Sequence, residues 1–143
     1  MTNNEQRAYF AGFFDGEGSL GIYPNNVGGY GLRVSVGQKL LTQLERLQSV
    51  YGGGISKKDC SVWTVCGLNA YNFVTDIYPW VQEKRDQVEL AIEYCYEFGV
   101  GAGRNGRSNG GRSVAEKERQ QLMSEQMRAL KYTEILNPEA VER

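Results

Sequence analysis

Residues 30–38 alternate without a break: Leu32, Val34 and Val36 fall on one side of an extended chain, Arg33, Ser35 and Gly37 on the other. A strand repeats its side-chain direction every second residue, so this pattern asks for a sheet with one face packed and one face wet. Residues 18–26 read as the strand before it, and Asn25, Asn26, Gly28 and Gly29 supply turn chemistry between the two. Two more short strands, rich in Ile, Val, Trp and Thr, are predicted at 54–58 and 61–66. Helical patterns surround these hairpins. One covers 5–15, with Asn3 or Asn4 available as its cap. A second covers 40–51, where Leu40, Leu44, Leu47 and Tyr51 share a stripe until Gly52, Gly53 and Gly54 stop it. Two more cover 69–78, broken at Pro79, and 83–98, with Val88, Ala91, Ile92 and Cys95 on one side. Hairpins joined by helices predict an α+β domain, an antiparallel sheet with helices packed on one face and the other face open.

Residues 1–98 are read as the core of this domain. Residues 99–113 hold six glycines, which forbid regular structure, and form a linker. Gly101, Gly103 and Gly106 spell a phosphate-cradling pattern, but it follows a helix rather than a strand and carries no such meaning. The remaining 114–143 begin with Ser113 and Glu116 placed as a capping box and predict a last helix to about Lys131, packing on the same domain.

Composition removes several chemistries. Histidine is absent, so catalysis must rest on carboxylates, lysines and metals. Cys60, Cys66 and Cys95 are odd in number and share no metal-type spacing, which points to reduced, small apolar side chains rather than zinc ligands or disulfides. No stretch approaches the roughly 20 apolar residues of a bilayer span. The start Met1-Thr-Asn-Asn-Glu has no secretory pattern, so a soluble intracellular protein is expected. The net charge of −1 does not advertise a nucleic-acid binder, although residues 99–143 carry eight Lys/Arg against six Asp/Glu and residues 1–98 carry eight against eleven.

The segment Phe10-Ala-Gly-Phe-Phe-Asp-Gly-Glu-Gly18 is the most informative. As a helix it has a smooth face, Ala8, Ala11, Gly12 and Asp15, while Tyr9, Phe10, Phe13 and Phe14 are expected in the core. A glycine inside a helix costs about 1 kcal/mol against alanine. Gly12 is tolerable there if another backbone approaches closely, as in helix pairs built on small residues. No other segment matches this face, so the partner is expected to be the same helix of a second subunit across a two-fold axis. The helix then delivers Asp15 and Glu17 at its C-terminus, where the macrodipole disfavours carboxylates. A bound cation resolves the conflict, and Mg²⁺ takes one or two carboxylates with carbonyls, waters and phosphate oxygens. The plain alternative is a polar turn between helix and strand.

Phe10 to Gly18 resembles the LAGLIDADG motif of homing endonucleases, and the α-β-β-α-β-β-α order is similar to that family's core over about residues 5–98. The resemblance implies a site-specific, Mg²⁺-dependent double-strand DNA endonuclease that works as a homodimer on a long, near-palindromic site, in the cytoplasm of a bacterial or phage-infected cell or in an organelle. It implies that Glu17 binds metal with the Gly16 carbonyl, and that Asp15 caps and supports the paired helices. It further implies that Gln38 orders the attacking water and that Lys84 enters the active site. Phe10 stands where the motif name has leucine, and Glu17 where it has aspartate.

On such a fold the wet sheet face meets the DNA major groove, where all four base pairs differ. Alternation projects Tyr23, Asn25, Arg33 and Ser35 onto it, with Lys57 or Lys58 and Thr64 joining them. Arg33 is the candidate for bidentate contact to guanine. Arg104, Arg107 and Arg112 either add phosphate contacts or belong to a solvated linker. Other readings of the same fold are a non-cleaving DNA-binding regulator and an RNA-binding intron maturase. A small protein-interaction module would leave the smooth helix and its carboxylates without a role.

Overall fold

A computed structural model describes residues 2–25, 28–100 and 112–136. The first helix, α1, spans Asn3–Glu17. Its cap is Thr2 rather than Asn3 or Asn4. The Thr2 Oγ1 accepts from the Glu5 amide at 3.1 Å, and the Glu5 carboxylate accepts from the Thr2 amide at 3.1 Å. This reciprocal pair satisfies two amides that the helix start would leave orphaned. α1 runs two residues past the predicted end, so Glu17 is its last residue, and Gly18 turns at once into extended backbone.

Two hairpins follow, each after a helix. They comprise β1 (Gly18–Pro24), β2 (Tyr30–Gln38), α2 (Leu41–Tyr51), β3 (Gly54–Lys57) and β4 (Ser61–Cys66). Three more helices complete the chain: α3 (Gly67–Ile77), α4 (Arg85–Phe98) and α5 (Val114–Leu136). The strands form one antiparallel sheet in the order β1-β2-β4-β3. The alternation in β2 holds as predicted: Leu32, Val34 and Val36 are buried, and Trp63 and Val65 of β4 continue that packed face. Leu40, read as part of the α2 stripe, precedes that helix and is 76% exposed.

The core between sheet and helices centres on Phe73. Its ring meets Phe14, Tyr51 and Trp63 edge-on at 5.5, 5.1 and 5.3 Å, so α1, α2, α3 and β4 share one aromatic cluster. The turn out of α2 depends on glycine. Gly53 has φ +85°, and a β-carbon there would run into the Thr64 carbonyl. The close approach lets the Trp63 indole donate to the Gly52 carbonyl at 2.8 Å.

The last helix belongs to the same core. Met123 and Met127 are buried with it, and Ser124 Oγ donates to the carbonyl of Ile22. β1 is an edge strand, so α5 covers a row of backbone groups that would otherwise invite pairing with another chain. The predicted capping box is present: Glu116 N–H donates to Ser113 Oγ at 3.1 Å and Ser113 N–H to the Glu116 carboxylate at 3.0 Å. Gly101, Gly103, Gly106, Arg104 and Arg107 lie outside the described residues. Arg112 is held inside the chain, donating to the Phe98 carbonyl at 2.6 Å and to Glu116 at 3.2 Å. Its guanidinium closes the end of α4 and is not offered to a phosphate.

Candidate catalytic centre and nucleic-acid interface

The C-terminal end of α1 is joined to the segment before α4 by three hydrogen bonds. The Asp15 carboxylate accepts from the amides of Gln82 at 2.8 Å and Lys84 at 3.0 Å. In return the Lys84 ammonium donates to the Asp15 carbonyl at 2.7 Å and stands 5.9 Å from the Phe14 ring centroid. The loop can fold this way because Val81 is buried beneath it, 1% exposed. Asp15, half-buried, thus ties its own chain together at the end of α1. Glu17, one turn end further on, is exposed, and nothing among the described residues pairs with its carboxylate. A lone carboxylate at a helix C-terminus is disfavoured by about 0.3–1 kcal/mol, a penalty that a bound cation would remove. Gln38 stands two residues beyond the Gly18–Val36 pair, at this same end of the sheet, with its side-chain oxygen accepting from the Lys39 amide at 2.9 Å. Residues 17, 38 and 84, far apart in sequence, thus reach one end of the sheet.

The outer face of α1 differs from the expected one. Ala11 is fully buried, so it cannot belong to a contact surface, whereas Tyr9 is 41% exposed rather than in the core. Phe10 and Phe14 are buried as predicted; Phe13 is only partly so. Along the exposed side run Gly12 and Gly16, one turn apart, beside half-buried Ala8. A β-carbon on either glycine would meet nothing within 4 Å, and neither has positive φ. Their own chain therefore does not require them to be glycines.

The open sheet face carries Ser19, Tyr23, Arg33, Ser35 and Thr64, with Ser19, Ser35, Thr64 and Gly54 in one cross-strand row. Arg33 stacks on the Tyr23 ring 4.6 Å from its centroid. Three predicted members are placed elsewhere. Asn25 lies past the end of β1, and its side-chain oxygen closes the turn by accepting from the Gly29 amide at 3.0 Å. Lys57 pairs with Ser61 and so alternates to the opposite side from Ser56 and Thr64; Lys58 is in the turn between β3 and β4. Lys131 takes their part. From α5 it reaches Tyr23 Oη at 3.3 Å and Ser19 Oγ at 3.4 Å. The four strands contain Arg33 and Lys57 and no acidic residue.

No protein-family model and no curated protein sequence matches the chain. Solved structures do. The homing endonuclease I-CvuI, in complex with the I-CreI target and Mg with the DNA uncleaved, superposes with a TM-score of 0.72 at 18% identity, over 90% of this chain and 83% of that one. The archaeal intron-encoded homing endonuclease I-Vdi141I, complexed with DNA, gives 0.59 at 20% identity over 83% and 86%. The LAGLIDADG meganuclease I-AabMI, bound to uncleaved DNA, gives 0.53 at 21% identity over 73% of this chain and 39% of that one. The fold is that of the LAGLIDADG homing endonucleases.

In this LAGLIDADG fold α1 ends where β1 begins, so Glu17 stands directly before the first strand of the sheet. The Glu17 carboxylate and Gly16 carbonyl are hard oxygen donors of the type Mg²⁺ prefers. They are too few for a closed site: among the described residues no three His, Cys, Asp or Glu side chains converge. The remaining oxygens would have to come from water, a nucleic-acid phosphate or a second chain. No helix among the described residues is long and apolar enough to cross a membrane.

Proposed function

We propose that the chain is one subunit of a homodimeric, site-specific DNA endonuclease that hydrolyses phosphodiester bonds with Mg²⁺ or a similar divalent cation. The observation that carries this reading is the unpaired, exposed Glu17 carboxylate at the end of α1, two residues past the Asp15 carbonyl that holds the Lys84 ammonium. A carboxylate there suits a metal whose other ligands are phosphate oxygens, and an ammonium suits the charge that builds on phosphorus. The bare Gly12 and Gly16 face supports pairing of two α1 helices, which would set two Glu17 groups side by side and demand a near-palindromic site.

In this reading Glu17 and the Gly16 carbonyl would hold the cation, which would supply Lewis-acid chemistry at the scissile phosphate. Gln38 orients the attacking water. Lys84 is held in place by the Asp15 carbonyl and approaches the phosphate from the protein side. Arg33, Ser35, Thr64 and Tyr23 face the groove, and intron RNA is the alternative ligand of the same surface. The test is incubation with a randomised duplex library in Mg²⁺ and sequencing of cut ends, with Glu17→Gln and Lys84→Met in parallel. A near-palindromic consensus with staggered ends, lost in Glu17→Gln and slowed at least about 100-fold in Lys84→Met, is expected. Selective binding without cutting by the native protein would replace this with a regulator; cutting retained in Glu17→Gln would remove Glu17 from the mechanism.

A further inference from the structure

The open face holds a cluster that the reading above leaves without a role. A β-carbon on Gly21 would lie 2.5 Å from Tyr23 Cζ and 2.6 Å from Tyr23 Oη, so only glycine admits the Tyr23 ring where it rests, flat over β1. Arg33, paired with Gly21 across the β1–β2 ladder, stacks on that ring. Lys131 comes to the same ring from α5, its ammonium 5.7 Å from the centroid and donating to Tyr23 Oη. Among the described residues neither Arg33 nor Lys131 has an acidic partner. Two cations thus converge on one tyrosine of an acid-free surface.

Stacking occupies the face of a guanidinium and leaves its N–H edge open, which is the edge that a guanine O6 and N7 accept from. It also fixes a long side chain before binding, so less rotamer freedom is lost in the complex. The Tyr23 hydroxyl oxygen, meanwhile, already accepts from Lys131.

We propose that Tyr23 is a pedestal and not itself a base reader: seated on Gly21, it presents the edge of Arg33 to one guanine per half-site and holds Lys131 toward an adjacent phosphate. The inference rests on the sheet being the DNA surface. It makes Gly21 and Tyr23 positioning residues whose effect on sequence preference is confined to the base pair that Arg33 reads, while their hold on Lys131 bears on all sequences alike.

The experiment selects bound duplexes from a randomised library with the native protein and with Arg33→Ala, Gly21→Ala, Tyr23→Phe and Lys131→Met. Arg33→Ala and Gly21→Ala should each lower the preference at the same G·C pair by about 10-fold or more and leave other positions alone. Tyr23→Phe keeps the ring but releases Lys131, so it should keep the preference at that pair and weaken all sequences alike, less than Lys131→Met does. Lys131→Met should weaken all sequences alike and reduce the salt dependence by about one ion per protomer. Should Gly21→Ala fail to fold, Tyr23→Leu removes the stack at similar reach and carries the same expectation. If Gly21→Ala or Tyr23→Leu leaves that pair unaffected, or alters a different pair from Arg33→Ala, the pedestal is wrong although the DNA reading stands. If the native protein selects no duplex at all, the DNA surface falls and the pedestal with it.

Discussion

The two sides of the sheet are built by opposite rules. On the packed side, Val34, Val36, Trp63 and Val65 meet the aromatic cluster around Phe73, and the helices carry acids on their outer surfaces, with exposed Asp86, Glu89, Glu93 and Glu97 all on α4. On the open side there are hydroxyls, glycines and Arg33, and no acid in any strand. A net charge of −1 is therefore an average over two surfaces of different character. Electrostatic attraction acts over about a Debye length, roughly 8 Å in physiological salt, so a polyanion at the open face is governed by that face and not by the total.

The contrast can be broken most sharply by truncation. Phe73→Ala on the packed side should destabilise the fold by about 3–5 kcal/mol, since three aromatic partners lose their contact at once. Ser35→Ala on the open side should stay within about 0.5 kcal/mol. Equal losses in a denaturant titration would mean the two faces are not energetically distinct. A smaller effect is expected at the seam between them. Asp15→Asn puts an amide NH₂ against one of two backbone donors and should cost about 1–3 kcal/mol in stability. It should also lower kcat with little change in DNA affinity, because it loosens Lys84 and touches no groove residue.

Alkaline pH probes three buried groups on the packed side. Burial pushes the Cys95 thiol up to about 12 from 9.0. Burial also raises Tyr51, with the Asp76 hydrogen bond adding to it, and burial raises Tyr94, both from 10.0. In each case the folded state holds its proton longer than the unfolded chain. This stabilising difference is complete below the unfolded values and is lost as pH rises from about 9 toward 12. Melting temperature should fall through that window, and less steeply in a Cys95→Ala, Tyr51→Phe variant; an unchanged slope would remove these groups from the account. The smallest effect belongs to the acidic outer surface. Arg119 pairs with Glu93 at 3.8 Å and Glu97 at 3.4 Å, half-exposed, and Arg119→Ala should cost at most about 1 kcal/mol, less in high salt.

Local order was well read from the sequence wherever one periodicity ruled a segment. The β2 alternation, the Ser113–Glu116 box and the order of hairpins and helices each depend on residues within a few positions of one another, so their physics is written locally. The errors fall where two local readings compete. Thr2 and Asn3 can each cap a helix, and the winner is the one whose Glu5 answers. Ala11 and Gly12 look alike on a helical wheel, but a turn of 100° puts one into the core and the other into solvent.

What the sequence determined by itself, then, was the set of elements, the sheet with one wet face, and a helix that ends in two carboxylates. What only the tertiary structure decided was partnership. Asp15 clamps a loop 67 and 69 residues away, and Lys131 rests on a tyrosine 108 residues away. Which side chains meet across such distances depends on strand order and helix packing, and these follow from how the whole chain buries its apolar surface. No spacing within a segment encodes them.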